Sequence, residues 1–185
     1  MQKHRAGRVR RPGEEGSAIQ LWLGEDAEAQ RTAFLTSAIS ILKHLPRTGW
    51  VESGVSKPET VASHSYGLAL LAMTEARIRK LDVLKAVEMA LIHDLAESYV
   101  GDLTPKMKKK IPKKLLENVE TGILKQLAET LPAKVKDRWV NLHQEYLSRK
   151  SAEARLVHRL DKVDMLVEAS WLRKRFGLRI SRFVM

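Results

Sequence analysis

From about Asp26 to Arg175, apolar residues recur at three- and four-residue steps, and no stretch alternates apolar with polar as a half-buried strand does. A chain with that regularity buries its apolar stripes by packing helix on helix. The fold is therefore expected to be all-α, a single-domain bundle of about six helices. Six Pro and ten Gly are too few for a turn-rich β protein. A first helix is predicted from about Asp26 to Leu45, with Phe34, Ala38, Ile41, Leu42 and Leu45 in phase and Pro46 as its stop. The aperiodic segment PRTGWVESGVSK reads as a loop carrying an Arg and a Trp. Ser56 and Glu59 form a capping box that opens a second helix through Lys80, whose stripe is Val61, His64, Leu68, Leu71, Ala72 and Ile78. Asp82 caps a third helix that runs to Val100-Gly101 with Leu84, Val87, Leu91 and Leu95 inward. A fourth spans about Lys113–Thr130, with Leu116, Val119, Ile123 and Leu127 in phase. A fifth starts near Pro132 and carries Val135, Trp139, Leu142 and Tyr146. Ser151 caps a long sixth helix through about Arg175, with Val157, Leu160, Val167 and Trp171 as buried candidates.

The 185 residues, 44% of them hydrophobic, suffice for one core, and the expected division is a flexible basic arm over 1–24 and the bundle over 25–185. No cysteine is present, which excludes disulfides, thiolate metal sites and cysteine nucleophiles together and fits a reducing cytoplasm. The longest apolar run, Leu68 to Met73, is far too short to span a bilayer, and the basic start lacks a signal-peptide core. A soluble, cytoplasmic protein with no membrane partner is expected. The net charge of +11 attracts polyanions and phosphorylated small molecules alike; five basic groups lie in residues 1–11, six in 106–114 and five in 173–182.

The chemistry is concentrated in ALIHDLAESYVGD. His93, Asp94 and Glu97 fall on neighbouring parts of one helical surface that is otherwise apolar, and an imidazole buried with two carboxylates needs a neutralising charge. A divalent cation supplies it, since imidazole nitrogen and carboxylate oxygen both suit borderline metals. His64 lies on the core-facing stripe of the preceding helix, and Asp161 sits between Leu160 and Val163 in the last. If these helices pack face to face, His64, His93, Asp94 and Asp161 form a two-His, two-carboxylate set that leaves open positions for water and substrate. Each residue alone has a plainer reading: His64 as a packing histidine, Asp94 or Glu97 as a helix-face ion pair, Arg47 as a surface charge, Trp50 as a loop anchor. His44, His143 and His158 are assigned such plain roles. Asp164, one turn beyond Asp161, is a rival ligand or a supporting residue.

In order along the chain, PRTGW, PETVASHS, IHDLAESYVGDLTP and SAEARLVHRLDKVDM resemble the HD-domain metal-dependent phosphohydrolases, and within them the 5′-deoxynucleotidase branch. The likeness covers roughly residues 30–175. It implies an HD-domain helical fold and hydrolysis of deoxyribonucleoside 5′-monophosphates to deoxynucleoside and phosphate. It makes His64, His93, Asp94 and Asp161 the ligands of one divalent ion, with Asp161 preferred over Asp164. It further implies that Glu97 orients or deprotonates the attacking water, that Asp102 sits at the substrate edge, that Arg47 holds the 5′-phosphate, and that Trp50 walls the sugar pocket against a 2′-hydroxyl. Many relatives place an acid immediately before the first His, where Ser63 stands here. Two imidazoles favour Mn²⁺, Co²⁺, Ni²⁺, Fe²⁺ or Zn²⁺ over Mg²⁺. The family commonly forms dimers, so a homodimer or higher homo-oligomer is expected.

Two other readings compete. The same site could act on another nucleotide phosphoester, cyclic or polyphosphorylated. Alternatively, the basic arm and KMKKKIPKK could make a helical nucleic-acid-binding protein, which would not depend on His64. The near-absence of phased aromatic platforms and the acids on buried faces argue against nucleic acid as a partner.

Overall fold

The computed structural model describes residues 27–177, so the expected arm over 1–24 lies outside the described residues. Nine helices and no strand occur among them: α1 (Ala27–His44), α2 (Thr48–Glu52), α3 (Val61–Ile78), α4 (Val83–Ile92), α5 (Glu97–Val100), α6 (Pro105–Lys108), α7 (Lys113–Leu127), α8 (Ala133–Ser148) and α9 (Ala152–Phe176). Six are long and correspond to the six expected from periodicity. Of the three short ones, α2 and α6 lie in segments without a readable period, and α5 is the detached end of the third expected helix.

Local chemistry sets most of the starts. Asp82 accepts from Lys85 N at 2.9 Å and Ser151 from Ala154 N at 3.1 Å, each satisfying an otherwise orphaned amide. The expected Ser56–Glu59 box does not form: Thr60 is the N-cap of α3 and accepts from Ser63 N at 3.2 Å. Glu59 is drawn away because its carboxylate accepts the indole N–H of Trp50 at 2.9 Å. Residues 46–60 make an excursion clasped at its base, where Pro46 and Thr60 form an antiparallel bridge. Arg47 N donates to Glu59 O at 3.0 Å and Val61 N to Leu45 O at 2.9 Å, so the two ends of the loop are fixed to each other.

The core joins α3, α4, α8 and α9 around Leu68, Met89, Leu142, Val157 and Leu160. A second cluster packs α1 and α7 on the other side through Ala38, Leu42, Val61, Leu95, Leu124 and Leu127. A third pins the 46–60 excursion to the far end of α9 through Trp50, Val55, Ala169 and Leu172. Each fully buried leucine contributes about 1.5–3 kcal/mol relative to exposure.

The inward face of α4 differs from expectation. Leu84 and Leu91 are exposed, whereas Ala86, Met89, Ala90 and Ile92 are buried. The core cluster sets Ala86 and Ala90 of α4 with Ala72 and Ala76 of α3. Small side chains there let the two backbones approach, leaving the bulkier leucines outside. Ile41, Ile78, Val119, Val135, Val167 and Trp171 are likewise exposed although in phase with their stripes.

The third predicted helix is also broken. After Ile92 the backbone tightens to i→i+3 bonds, Leu95 N to Ile92 O at 3.1 Å and Glu97 N to Asp94 O at 3.0 Å, before α5 begins. His93 and Asp94 therefore sit on the turn between α4 and α5, with Glu97 opening α5, and not on one continuous helical face. Gly101 closes α5 with φ 78° and ψ 166°, a conformation essentially reserved for glycine, and turns Asp102 back toward α2.

Candidate active site

His64 is buried on α3 and His93 is buried at the C-cap of α4, with ring centroids 5.5 Å apart. His93 Nδ1 lies 2.8 Å from Ala90 O, and a carbonyl can only accept, so Nδ1 carries the proton. In the singly protonated ring Nε2 is then a lone pair, and it faces Asp94 Oδ2 at 3.0 Å. His64 has the same arrangement: Nδ1 is 2.7 Å from Asp164 Oδ2, while Nε2 is 3.2 Å from Asp161 Oδ1. Neither Nε2 has an aligned hydrogen-bond partner among the described residues. Two buried lone pairs aimed at carboxylate oxygens are repulsive unless positive charge lies between them. A second proton on each ring or one cation meets that need.

His64, His93 and Asp161 each offer a ligand atom, and all three atoms lie within 4.8 Å of one another. The fourth expected member, Asp94, stands beside this triad, touching His93 on one side and Arg47 Nη1 at 3.2 Å on the other. A donor set of imidazole and carboxylate with its Nδ1 protons engaged elsewhere fits a borderline divalent ion. Asp161 and Asp164 project from α9 one turn apart and flank His64 on opposite ring nitrogens.

Without a cation the charges respond in a consistent way. Burial lowers the basicity of His64, but the adjacent carboxylates of Asp161 and Asp164 outweigh it and raise its pKa to about 9. Burial would raise the pKa of Asp94, yet the His93, Arg47 and His64 charges hold it well below the usual carboxylate range. Asp161 is likewise lowered, against its burial, by His64 and His93. Glu97 goes the other way. It is 4% exposed, and burial together with the negative charge of Asp94 and Asp102 pushes it up to about 10. Its Oε2 has no hydrogen-bond partner among the described residues, and Oε1 lies 3.6 Å from Lys108 Nζ.

Arg47 is the N-cap of α2, and its side chain is nearly buried between Asp94 and Asp102. Asp102 is engaged on both oxygens: Oδ2 accepts Thr48 N–H at 2.5 Å, and Oδ1 lies 3.5 Å from Arg47 Nη1. Its carbonyl accepts from Thr48 Oγ1 at 2.7 Å, which ties the turn after α5 to the start of α2. Trp50 is 2% exposed, packed against Val55, Ala169 and Leu172, and its N–H is committed to Glu59. It is nonetheless among the residues that line the cavity.

That cavity, of about 260 Å³, is lined by Arg47, Trp50, Asp94, Glu97, Asp102 and Asp161 among others, so it gathers six of the eight residues expected at the site. His64 and His93 lie just behind its wall through Asp161 and Asp94. His44, His143 and His158 are not in the lining. Of the eight other lining residues, three with charged or phenolic side chains are not singled out as site residues by the sequence. Lys108 belongs to the basic stretch over 106–114, and α6 brings it to the cavity wall. Lys162 follows Asp161 directly. Tyr146 lies edge-on to His93 with centroids 5.5 Å apart and stacks on His158 at 3.9 Å. Only the proximity of Lys108 to GDLTP could have pointed to it from sequence.

The HD domain family model matches residues 39–181. The 5′-deoxynucleotidase HDDC2 of Mus musculus is 39% identical over 129 residues, which is 70% of this chain and 63% of that protein. The chain thus spans less than two thirds of the length of the first curated relatives it matches. Among solved structures, a conserved hypothetical protein from Pyrococcus furiosus superposes with a TM-score of 0.68 at 32% identity, covering 80% of this chain and 83% of that one. A predicted metal-dependent phosphohydrolase from Magnetospirillum magnetotacticum MS-1 gives 0.61 at 25% identity, covering 77% and 72%. With its two paired histidines, its late aspartate on α9 and a family match over most of its length, the chain belongs to the HD-domain family.

Proposed function

We propose that this chain is a metal-dependent phosphohydrolase that converts deoxyribonucleoside 5′-monophosphates to deoxynucleoside and phosphate. The observation that carries the reading is the convergence of His64, His93 and Asp161 within 4.8 Å beside an Arg-bearing cavity of about 260 Å³. The similarity to proteins named 5′-deoxynucleotidase and metal-dependent phosphohydrolase supports it.

In this reading His64, His93, Asp94 and Asp161 hold one divalent ion, of the Mn²⁺, Co²⁺, Ni²⁺, Fe²⁺ or Zn²⁺ type. Such an ion supplies Lewis acidity to the phosphoryl group and makes a nearby water easier to deprotonate. Arg47 presents its guanidinium to the phosphate, a geometry that Lys cannot copy. Lys108 and Lys162 add cationic charge at the cavity wall. Glu97, which would be ionised once a cation offsets the negative charge of Asp94 and Asp102, takes the proton of the attacking water at Oε2; the new O–P bond forms as the P–O5′ bond breaks, and that proton passes to the departing 5′-oxygen. Asp102 holds Arg47 and α2 in register at the substrate edge, and Trp50 presents its edge to the sugar.

Self-association and a cytoplasmic setting belong to the same reading. Exposed apolar side chains on α3 (Tyr66, Leu70, Met73) and α9 (Val163, Leu166, Val167, Trp171) offer a face for a second copy. No helix among the described residues is long and apolar enough to cross a membrane.

The test is a phosphate-release screen of deoxy- and ribonucleoside monophosphates, with cyclic and polyphosphorylated nucleotides alongside, under several divalent ions and beside Asp94→Ala. Metal-dependent release from the deoxy monophosphates that vanishes in the variant supports the reading. Preference for a cyclic or polyphosphorylated nucleotide moves the substrate within the enzyme class. Equal, metal-independent traces from both proteins overturn the enzyme reading.

A further inference from the structure

His64 has two carboxylate neighbours, but only one of them faces the cavity. Asp161 lies on the Nε2 side and lines the pocket, whereas Asp164 lies on the Nδ1 side, outside the pocket lining, at 2.7 Å. The residue before His64, Ser63, is exposed and hydrogen-bonded to the N-cap Thr60 at 2.9 Å, so it gives the ring no charge. Glu59 has an oxygen within 4.8 Å of the His64–Asp164 contact, yet Glu59 Oε1 accepts the Trp50 N–H. The ring is fixed on its outer side by Asp164.

Asp164 can reach His64 because of what is missing on α3. Gly67 lies close to its carboxylate: a Cβ built on Gly67 would stand 3.2 Å from Asp164 Oδ1 and 3.9 Å from its Cγ. That is tighter than side chains ordinarily tolerate, so any larger residue would push the carboxylate aside by a few tenths of an ångström. Gly67 is in mid-helix, where glycine is intrinsically the less stable choice. A destabilising residue kept beside a carboxylate that orients a buried imidazole has a physical rationale in that carboxylate.

We propose that Asp164 is a positioning residue for the cation site, locking His64 with its Nδ1 proton outward and its Nε2 lone pair inward, and that Gly67 is the notch that admits it. The assignment rests on the cation-binding reading above. Outer carboxylates of this kind hold ring orientation and raise ligand basicity, and their loss weakens metal affinity by about 10–100-fold.

The experiment measures Co²⁺ binding by calorimetry on wild type, Asp164→Asn and Gly67→Ala, with melting curves of the chelated proteins and proton spectra of the Co²⁺-loaded ones. Wild type is expected to bind Co²⁺ and to show two exchangeable, strongly shifted imidazole N–H resonances. In Asp164→Asn, Kd rises about 10–100-fold and one of the two resonances moves or broadens into exchange. Gly67→Ala also weakens binding, while its chelated form melts at or above wild type because Ala favours the helix. A merely structural role for Asp164 would move the melting curve and leave the resonance in place. Unchanged Kd and resonance in Asp164→Asn overturn the assignment of Asp164, and unchanged Kd in Gly67→Ala overturns the part given to the glycine. Wild type that binds no cation fails the functional reading itself, an outcome distinct from both.

Discussion

Arg47 Nη1 lies 3.2 Å from Asp94 Oδ2, so the side chain proposed to grip phosphate also shares a carboxylate with the proposed cation site. The substrate clamp and the cation are thereby coupled. Arg47 Nη1 alone meets both Asp94 and Asp102, and replacing Arg47 by Lys keeps the charge but loses the planar guanidinium, whose other N–H groups could address phosphate at the same time. Arg47→Lys is expected to lower kcat/KM on deoxynucleoside monophosphates by on the order of 10²-fold. Steady-state kinetics at saturating metal checks this, and a loss below about tenfold contradicts the role.

The cation-free protein should grow less stable as pH rises. Glu97 and His64 both have folded-state pKa values above their ordinary ones, so both bind more protons when folded than when unfolded. The Glu97 contribution is complete below its ordinary value of 4.5 and is lost on the way to about 10; that of His64 is complete below 6.5 and is lost through about 9. Asp94 and Asp161, held low, act oppositely and lose their contribution only on acidification. Chelated protein should therefore melt highest in mild acid and fall steadily toward pH ~10. Divalent ion should remove most of that fall, because it replaces the protons the cluster otherwise needs. Melting curves across pH, with and without Mn²⁺, read both limbs.

Gly101 is expected to be intolerant of a side chain. Its φ of 78° with ψ of 166° is costly for any other residue, by about 1–3 kcal/mol. Gly101→Ala should lower stability by that amount and also loosen Asp102 from Thr48 and Arg47. Chemical denaturation gives the first effect, and an increase in KM gives the second.

Trp50 carries two roles that different substitutions separate. Trp50→Ala removes a fully buried ring and should cost about 3–5 kcal/mol, which obscures any change in specificity. Trp50→Phe keeps an aromatic ring against Val55, Ala169 and Leu172 and loses the N–H bond to Glu59, at about 1–3 kcal/mol for that bond. If the edge of Trp50 discriminates sugars, Trp50→Phe narrows the deoxy-over-ribo ratio of kcat/KM. An unchanged ratio in this folded variant rejects the sugar role.

Lys108, drawn from the basic stretch into the cavity, should matter for phosphate and little for folding. Its side chain is 40% exposed, and its ion pair with Glu97 spans 3.6 Å. Lys108→Met is predicted to raise KM about tenfold with a smaller change in melting temperature. Equal KM in the variant removes it from the site.

How far residues alone reveal the structure depends on how local the governing physics is. Asp82 and Ser151 are legible as caps because a cap bonds its own helix three residues on. Ser56 misleads because the competing partner of Glu59, Trp50, is close only after the 46–60 excursion folds back. The joint pattern of His64, His93, Asp94 and Asp161 is legible as chemistry, since that many ionisable groups on apolar faces require a neutralising charge among them. The break after Ile92 is not legible, because the residues across it suit a helix and only tertiary packing tightens them. The choice between Leu84 and Ala86 as the inward residue of α4 turns on the small side chains of a neighbouring helix, which periodicity does not weigh. Lys108 is hidden inside a charge run whose other members lie outside the cavity lining.

His64 comes early in the chain, whereas Asp161 and Asp164 arrive on the last described helix. In the proposed cation site that helix therefore supplies Asp161 as well as the carboxylate that orients His64, so the pair of histidines brought together by α3 and α4 is completed only when α9 docks on them.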